Sequence, residues 1–124
     1  IALHQLKNLD QFNQQRINNA KKMDEQLRTV KRPVKIRGVK HVYHQYVVRT
    51  DKRNELKNYL DQKGIGTAIH YPTPIHKQPL YKKLGYNDLL PNAEQVSKQV
   101  LSLPIHQYLT NKEVNYIIKT VNEF

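Results

Sequence analysis

HVYHQYVVRT, residues 41–50, decides how the rest of the chain is read. Valine and tyrosine crowd it, and apolar groups fall on both faces of a pleated ribbon. Val42, Tyr46 and Val48 share one face, Tyr43 and Val47 the other. That pattern predicts a strand covered on both sides. Thr50 or Asp51 can cap the helix that follows, which sets Leu56, Tyr59 and Leu60 on one face. Gly64 is placed to end it in the left-handed conformation. Residues 65–71 (IGTAIHY) predict a second strand, stopped by Pro72 and Pro74.

Further downstream, Pro79 suits a first helical position, and Gly85 closes the short helix it opens. Asn92 with Gln95 resembles a capping box, with Ala93, Val96 and Val100 packing behind it. Residues 102–106 (SLPIH) read as a third short strand whose Pro104 must lie at an edge or an end. Thr110 with Glu113 is a capping box opening a last helix with Val114, Ile117, Ile118 and Val121 inward. Upstream, apolar residues recur every three or four positions from Leu3 to Leu27. A helix over residues 2–27 would span about 39 Å. Pro33 forbids its continuation.

The expected fold is α/β (α+β), a two-layer sandwich. It has a small antiparallel or mixed sheet of about three strands with helices on one side, preceded by a long N-terminal helix. Three segments follow: an interdomain helix over 1–30, a basic extended connector over 31–40, and an α/β domain over 41–124.

Composition removes several chemistries. The 124 residues suit one domain. The absence of cysteine excludes disulfide frameworks, zinc–thiolate sites, iron–sulfur clusters and thiol nucleophiles. No apolar run approaches the roughly 20 residues of a transmembrane helix. The chain opens inside a helical pattern without Met, so a fragment of something larger is expected. The net charge of +11 is concentrated: residues 16–40 hold nine basic side chains against Asp24 and Glu25. This strip reads either as an anion-binding surface for nucleic acid, membrane or nucleotide, or as a solvated connector. No aromatic residue lies between Arg16 and Lys40, against what single-stranded nucleic acid requires.

Ser97 and Ser102 lie in no nucleophile elbow, and the four glycines are too scattered for a phosphate loop. His41 and His44 are three apart in the predicted strand. They point to opposite faces and cannot share a metal. No lysine sits in the desolvated setting that a Schiff-base amine needs. The informative stretch is HYPTPIH, residues 70–76. Two prolines stiffen the exit from a strand and hold an imidazole (His70) and a phenol (Tyr71) at its end. Two stiffly presented hydrogen-bonding rings suit a hydroxyl-rich ligand such as a sugar. The alternative is that both rings are packing groups satisfied by backbone.

Four stretches together resemble the C-terminal small domain of the DegT/StrS family: residues 41–49, residues 63–79 with their HYPTPIH run, Ala93-Glu94, and LSLPIH at 101–106. The leading helix is similar too. The resemblance implies the small domain of a fold-type I pyridoxal-phosphate enzyme, a nucleotide-sugar aminotransferase. Such an enzyme moves an amino group, usually from glutamate, onto a keto-sugar carried by a nucleoside diphosphate. It implies a cytoplasmic homodimer whose cofactor is held by a large domain not present in this sequence. By that pattern His70 and Tyr71 bind substrate at the active-site mouth, with His76 a weaker candidate. No catalytic, cofactor-binding or metal-binding residue is expected in this chain. The chain alone is expected to be inactive. Its partners would be the large domain, a second subunit and the nucleotide-sugar. The alternative reading is a non-enzymatic basic module that binds nucleic acid.

Overall fold

The computed structural model describes residues 2–124. Ile1, the first residue of the expected leading helix, lies outside the described residues. That helix is interrupted. α1 covers Ala2–Leu6 and α2 covers Leu9–Gln26, with a turn at Lys7–Asn8 closed by Asn8 N–H to the Gln5 carbonyl (3.0 Å). Asparagine favours such exits because its short amide competes with helical backbone bonds. The apolar stripe divides accordingly. Ala20, Met23 and Leu27 are buried, whereas Leu3, Leu6 and Leu9 lie exposed.

After Leu27 the chain crosses residues 32–45 without helix or strand. The expected ten-residue strand shortens to β1, Tyr46–Arg49. The cause is local. Tyr43 adopts a left-handed backbone (φ +50°), and its N–H is taken by His41 Nδ1 at 2.9 Å. Both features remove these residues from a ladder. α3 spans Arg53–Gln62 and buries Leu56 and Leu60. Gly64 (φ +75°) ends it, letting Ile65 N–H turn back to the Leu60 carbonyl at 2.9 Å. A 3₁₀ turn at Ile75–Lys77 leads to α4 (Pro79–Lys83), and α5 (Pro91–Gln99) runs directly into β2 (Val100–Leu103). α6 covers Asn111–Glu123.

Among the described residues the sheet has two strands, not about three. β1 and β2 are antiparallel, pairing Tyr46 with Leu103 and Val48 with Leu101. The strand expected over 65–71 survives as a single bridge, Ala68 to Ser102, and Lys31 bridges Arg49 on the opposite edge. Proline at 72 and 74 cannot donate to a ladder, and His70 reaches Ser102 through its ring instead. The third strand lies at 100–103 rather than 102–106, which leaves Pro104 just past its end.

One core joins these elements. Met23, Tyr46, Val48, Leu56, Leu60, Leu101, Val114 and Val121 are among its fully buried members. α6 packs against α2 and α3, and its four expected inward residues are all buried. Its N-terminus is closed as expected: Thr110 Oγ1 accepts from Glu113 N–H (3.2 Å), and Glu113 Oε2 accepts from Thr110 N–H (2.7 Å). Thr110→Ala is expected to cost about 1 kcal/mol in a urea melt. A change within about 0.3 kcal/mol would show that the box contributes nothing net.

A second tie lies at the other end of the core. Asp24, on the last turn of α2, accepts from Tyr46 OH (2.7 Å), Tyr43 OH (3.3 Å) and Lys35 Nζ (2.8 Å). Burial, reinforced by the carboxylate, pushes the Tyr46 phenol far above its ordinary range. Burial first, and then the same carboxylate, also raises the Tyr43 phenol. Both therefore remain donors, and three separate stretches converge on one side chain.

Candidate functional site

The expected site residues meet at one groove. A hollow of about 1000 Å³ opens between the segment that follows Ala68 and the outer face of α5. His70, Tyr71 and His76 all line it. His70 is exposed, and its Nδ1 sits 3.1 Å from Ser102 Oγ, a buried hydroxyl on β2. That contact holds the ring to the sheet and leaves Nε2 for a ligand. Tyr71 is 76% exposed and stands edge-on to His70, with ring centroids 6.0 Å apart. The His70–Tyr71 peptide bond is cis. Neither ring is buried in the core of this chain.

His76 is placed differently. It lies in the 3₁₀ turn, 9% exposed, with Nε2 3.1 Å from Glu94 Oε1. The same oxygen receives Lys77 Nζ at 3.3 Å and Leu90 N–H at 3.4 Å. These donors, His76 first, hold the Glu94 carboxyl below the ordinary glutamate range. Tyr81 and Tyr86, edge-to-face at 5.7 Å, form another part of the wall. Val96 and Val100 add apolar surface.

Sequence reasoning missed Glu94, Ser102 and the tyrosine pair. It placed a capping box at Asn92 and Gln95, but α5 begins two residues earlier, with Leu90 at the N-cap, Pro91 at its first position and no side-chain cap. Ala93, expected to pack inward, is exposed and lines the groove. Pro91 was the available signal, since proline favours the first helical position and places Glu94 in the first turn.

The other candidates scatter. His41 and His44 do not share a strand, and His41 instead packs its ring on Tyr43 at 4.2 Å. Among the described residues no group of three or more carboxylates and imidazoles is placed to hold a metal. The basic strip is largely engaged locally. Lys35 pairs with Asp24, Arg32 donates to the Asp24 carbonyl, and Arg28 to the carbonyls of Glu25 and Leu27. No helix among the described residues is long and apolar enough to cross a membrane.

Known proteins share both the sequence and this architecture. The "Pleiotropic regulatory protein" of Geobacillus stearothermophilus is 41% identical over 93 residues, covering 74% of this chain and 25% of that protein. The dTDP-3-amino-3,4,6-trideoxy-alpha-D-glucose transaminase of Streptomyces venezuelae is 40% identical over 93 residues, covering 74% and 24%. The crystal structure of S. venezuelae DesV in complex with a ketimine intermediate superposes with a TM-score of 0.88 at 36% identity, covering 95% of this chain and 33% of that one. An aminotransferase structure from Brucella abortus gives a TM-score of 0.91 at 32% identity, covering 98% and 33%. The chain thus spans about a quarter of these curated relatives and a third of these solved chains. A family model described as DegT/DnrJ/EryC1/StrS aminotransferase matches residues 1–122, and the chain belongs to that family.

Proposed function

We propose that this chain is the C-terminal small domain of a pyridoxal-phosphate-dependent aminotransferase acting on a nucleoside-diphosphate keto-sugar. In this reading glutamate supplies the amino group, and the chain contributes part of the sugar-binding wall. The carrying observation is the groove in which His70, Tyr71 and His76 stand together. His70 Nε2 and the Tyr71 phenol offer hydrogen bonds to sugar hydroxyls, and the exposed tyrosine face can stack on a pyranose ring. Segment 1–30 serves as the interdomain link, its helical part ending at Gln26, with 31–40 as its connector and 41–124 as the wall-bearing unit.

The cofactor does not fit this chain. Its aldehyde requires a lysine amine in a desolvated pocket, and every lysine here is exposed or half-exposed. Pyridoxal phosphate would be held by the large domain, where it supplies the electron sink for amino transfer. The small domain by itself would bind no cofactor and turn over no substrate.

The surface supports a part that is covered in the working enzyme. The chain exposes 8943 Å², against about 6900 Å² for a monomer of 14.7 kDa. The excess is rich in large apolar groups: Leu3, Leu6, Val34, Ile36, Leu80 and Leu89 are all more than half exposed. In this reading the large domain and a second, identical subunit cover them, in a cytoplasmic dimer.

Two substitutions in the full-length protein test the reading. His70→Ala and Tyr71→Phe are each expected to raise KM for the sugar nucleotide about three- to tenfold, the worth of one hydrogen bond. Cofactor absorbance should stay as it is. Unchanged sugar kinetics in both variants would remove the groove from the active site.

A further inference from the structure

Glu94 lies behind the groove-lining His76, and its Oε1 gathers three donors, two from the neighbours His76 and Lys77 and one from Leu90. Two of them, Leu90 N–H and Lys77 Nζ, are donors whatever their surroundings. The third is His76 Nε2, whose role depends on tautomer. An ionised carboxylate can only accept, and Lys77 Nζ and Leu90 N–H, donors independent of the imidazole, favour the ionised form of Glu94. Nε2 must therefore carry the ring proton. Nδ1 makes no hydrogen bond to any described residue and is not enclosed without a partner. In a neutral ring with Nε2–H, Nδ1 is a bare acceptor.

We infer that Glu94 is a positioning residue that fixes the His76 tautomer, so that His76 presents Nδ1 to the groove as a hydrogen-bond acceptor. The groove then takes a donor there, a sugar hydroxyl or amine, and rejects a group that can only accept. Glu94 reaches the ligand through His76 and not directly. His70 has no such restriction, because its partner Ser102 is a hydroxyl that can donate or accept. The two imidazoles thus play different parts: His70 adapts its polarity and His76 has one polarity imposed. Carboxylates orient imidazoles in this way wherever one ring nitrogen must be kept free for a ligand. The ligand half of this inference rests on the sugar-wall reading above, whereas the tautomer half does not.

The test uses histidine labelled with ¹⁵N in the full-length protein, and dTDP-glucose as a probe with hydroxyl donors and no keto group. With the imidazole in its neutral form, the wild-type spectrum is expected to show His76 protonated at Nε2 and bare at Nδ1. This requires no variant and holds whether or not a variant folds. E94A should give a mixed tautomer and weaken dTDP-glucose about three- to tenfold. E94Q, whose amide oxygen can still accept from Nε2–H, should restore both readouts, which simple loss of packing would not do. A proton on Nδ1 in the wild type, or an unchanged tautomer in E94A, overturns the inference. So does an E94A affinity equal to wild type while H76A loses binding. If H70A, Y71F and H76A all bind the probe like wild type, the sugar-wall reading falls instead, and the tautomer result still decides the role of Glu94.

Discussion

Asp24→Ala is expected to destabilise the chain by about 3 kcal/mol, a fall of roughly 10 °C in Tm. The reasoning starts from Tyr46, whose ring is fully buried and whose hydroxyl donates to Asp24 at 2.7 Å. Deleting the acceptor strands that hydroxyl away from water, which alone costs about 1–3 kcal/mol. Tyr43 and Lys35 lose their partner at the same time. The Lys35 pair adds little, because its ammonium is well exposed and screened. Asp24→Asn keeps an oxygen acceptor and should cost less than half as much. Tyr46→Phe removes the donor together with its need, so the double variant with Asp24→Ala should cost less than the two single changes combined. Urea melts of the four proteins measure this. A cost below about 0.5 kcal/mol for Asp24→Ala would mean the carboxylate is replaced by solvent without penalty.

Leu101→Ala is the other large effect, at about 3–4 kcal/mol. Leu101 is wholly buried at the centre of β2, opposite Val48 in the ladder. β2 is buried along all four residues, because α3 packs upon it and β1 pairs with it. Truncation there leaves a cavity that paired backbone cannot collapse to fill. The control, made in this chain by itself, is Leu80→Ala, 61% exposed on α4, which should change stability by less than about 0.5 kcal/mol. Similar costs for the two would mean that α4 is covered in solution and that the core is less discriminating than its burial indicates.

Helices with a single apolar stripe were legible in the sequence. α6 reads from Val114, Ile117, Ile118 and Val121 alone, because one face of a 3.6-residue repeat meets the core and its capping box needs only Thr110 and Glu113. The stripe from Leu3 to Leu27 misleads for the same reason: period shows that a face is apolar, not what covers it, and Leu3 and Leu6 have nothing over them here. The strand at residues 41–50 was overread because side-chain pattern does not register a left-handed residue such as Tyr43. His70 and Tyr71 could be picked out because their bracing prolines are neighbours in sequence. Glu94 could not, since it meets His76 across eighteen residues and no periodicity joins them.

The single-residue bridges on either side of the two strands have a consequence for solubility. Lys31 occupies the free side of β1, and Ala68 that of β2. An incoming strand from another molecule would have to displace one of them before it could dock, and on the β1 side it would meet the cationic Lys31 and Arg49 together. The small sheet is therefore guarded against fibrillar stacking, even though so much oily surface is left bare elsewhere on the molecule.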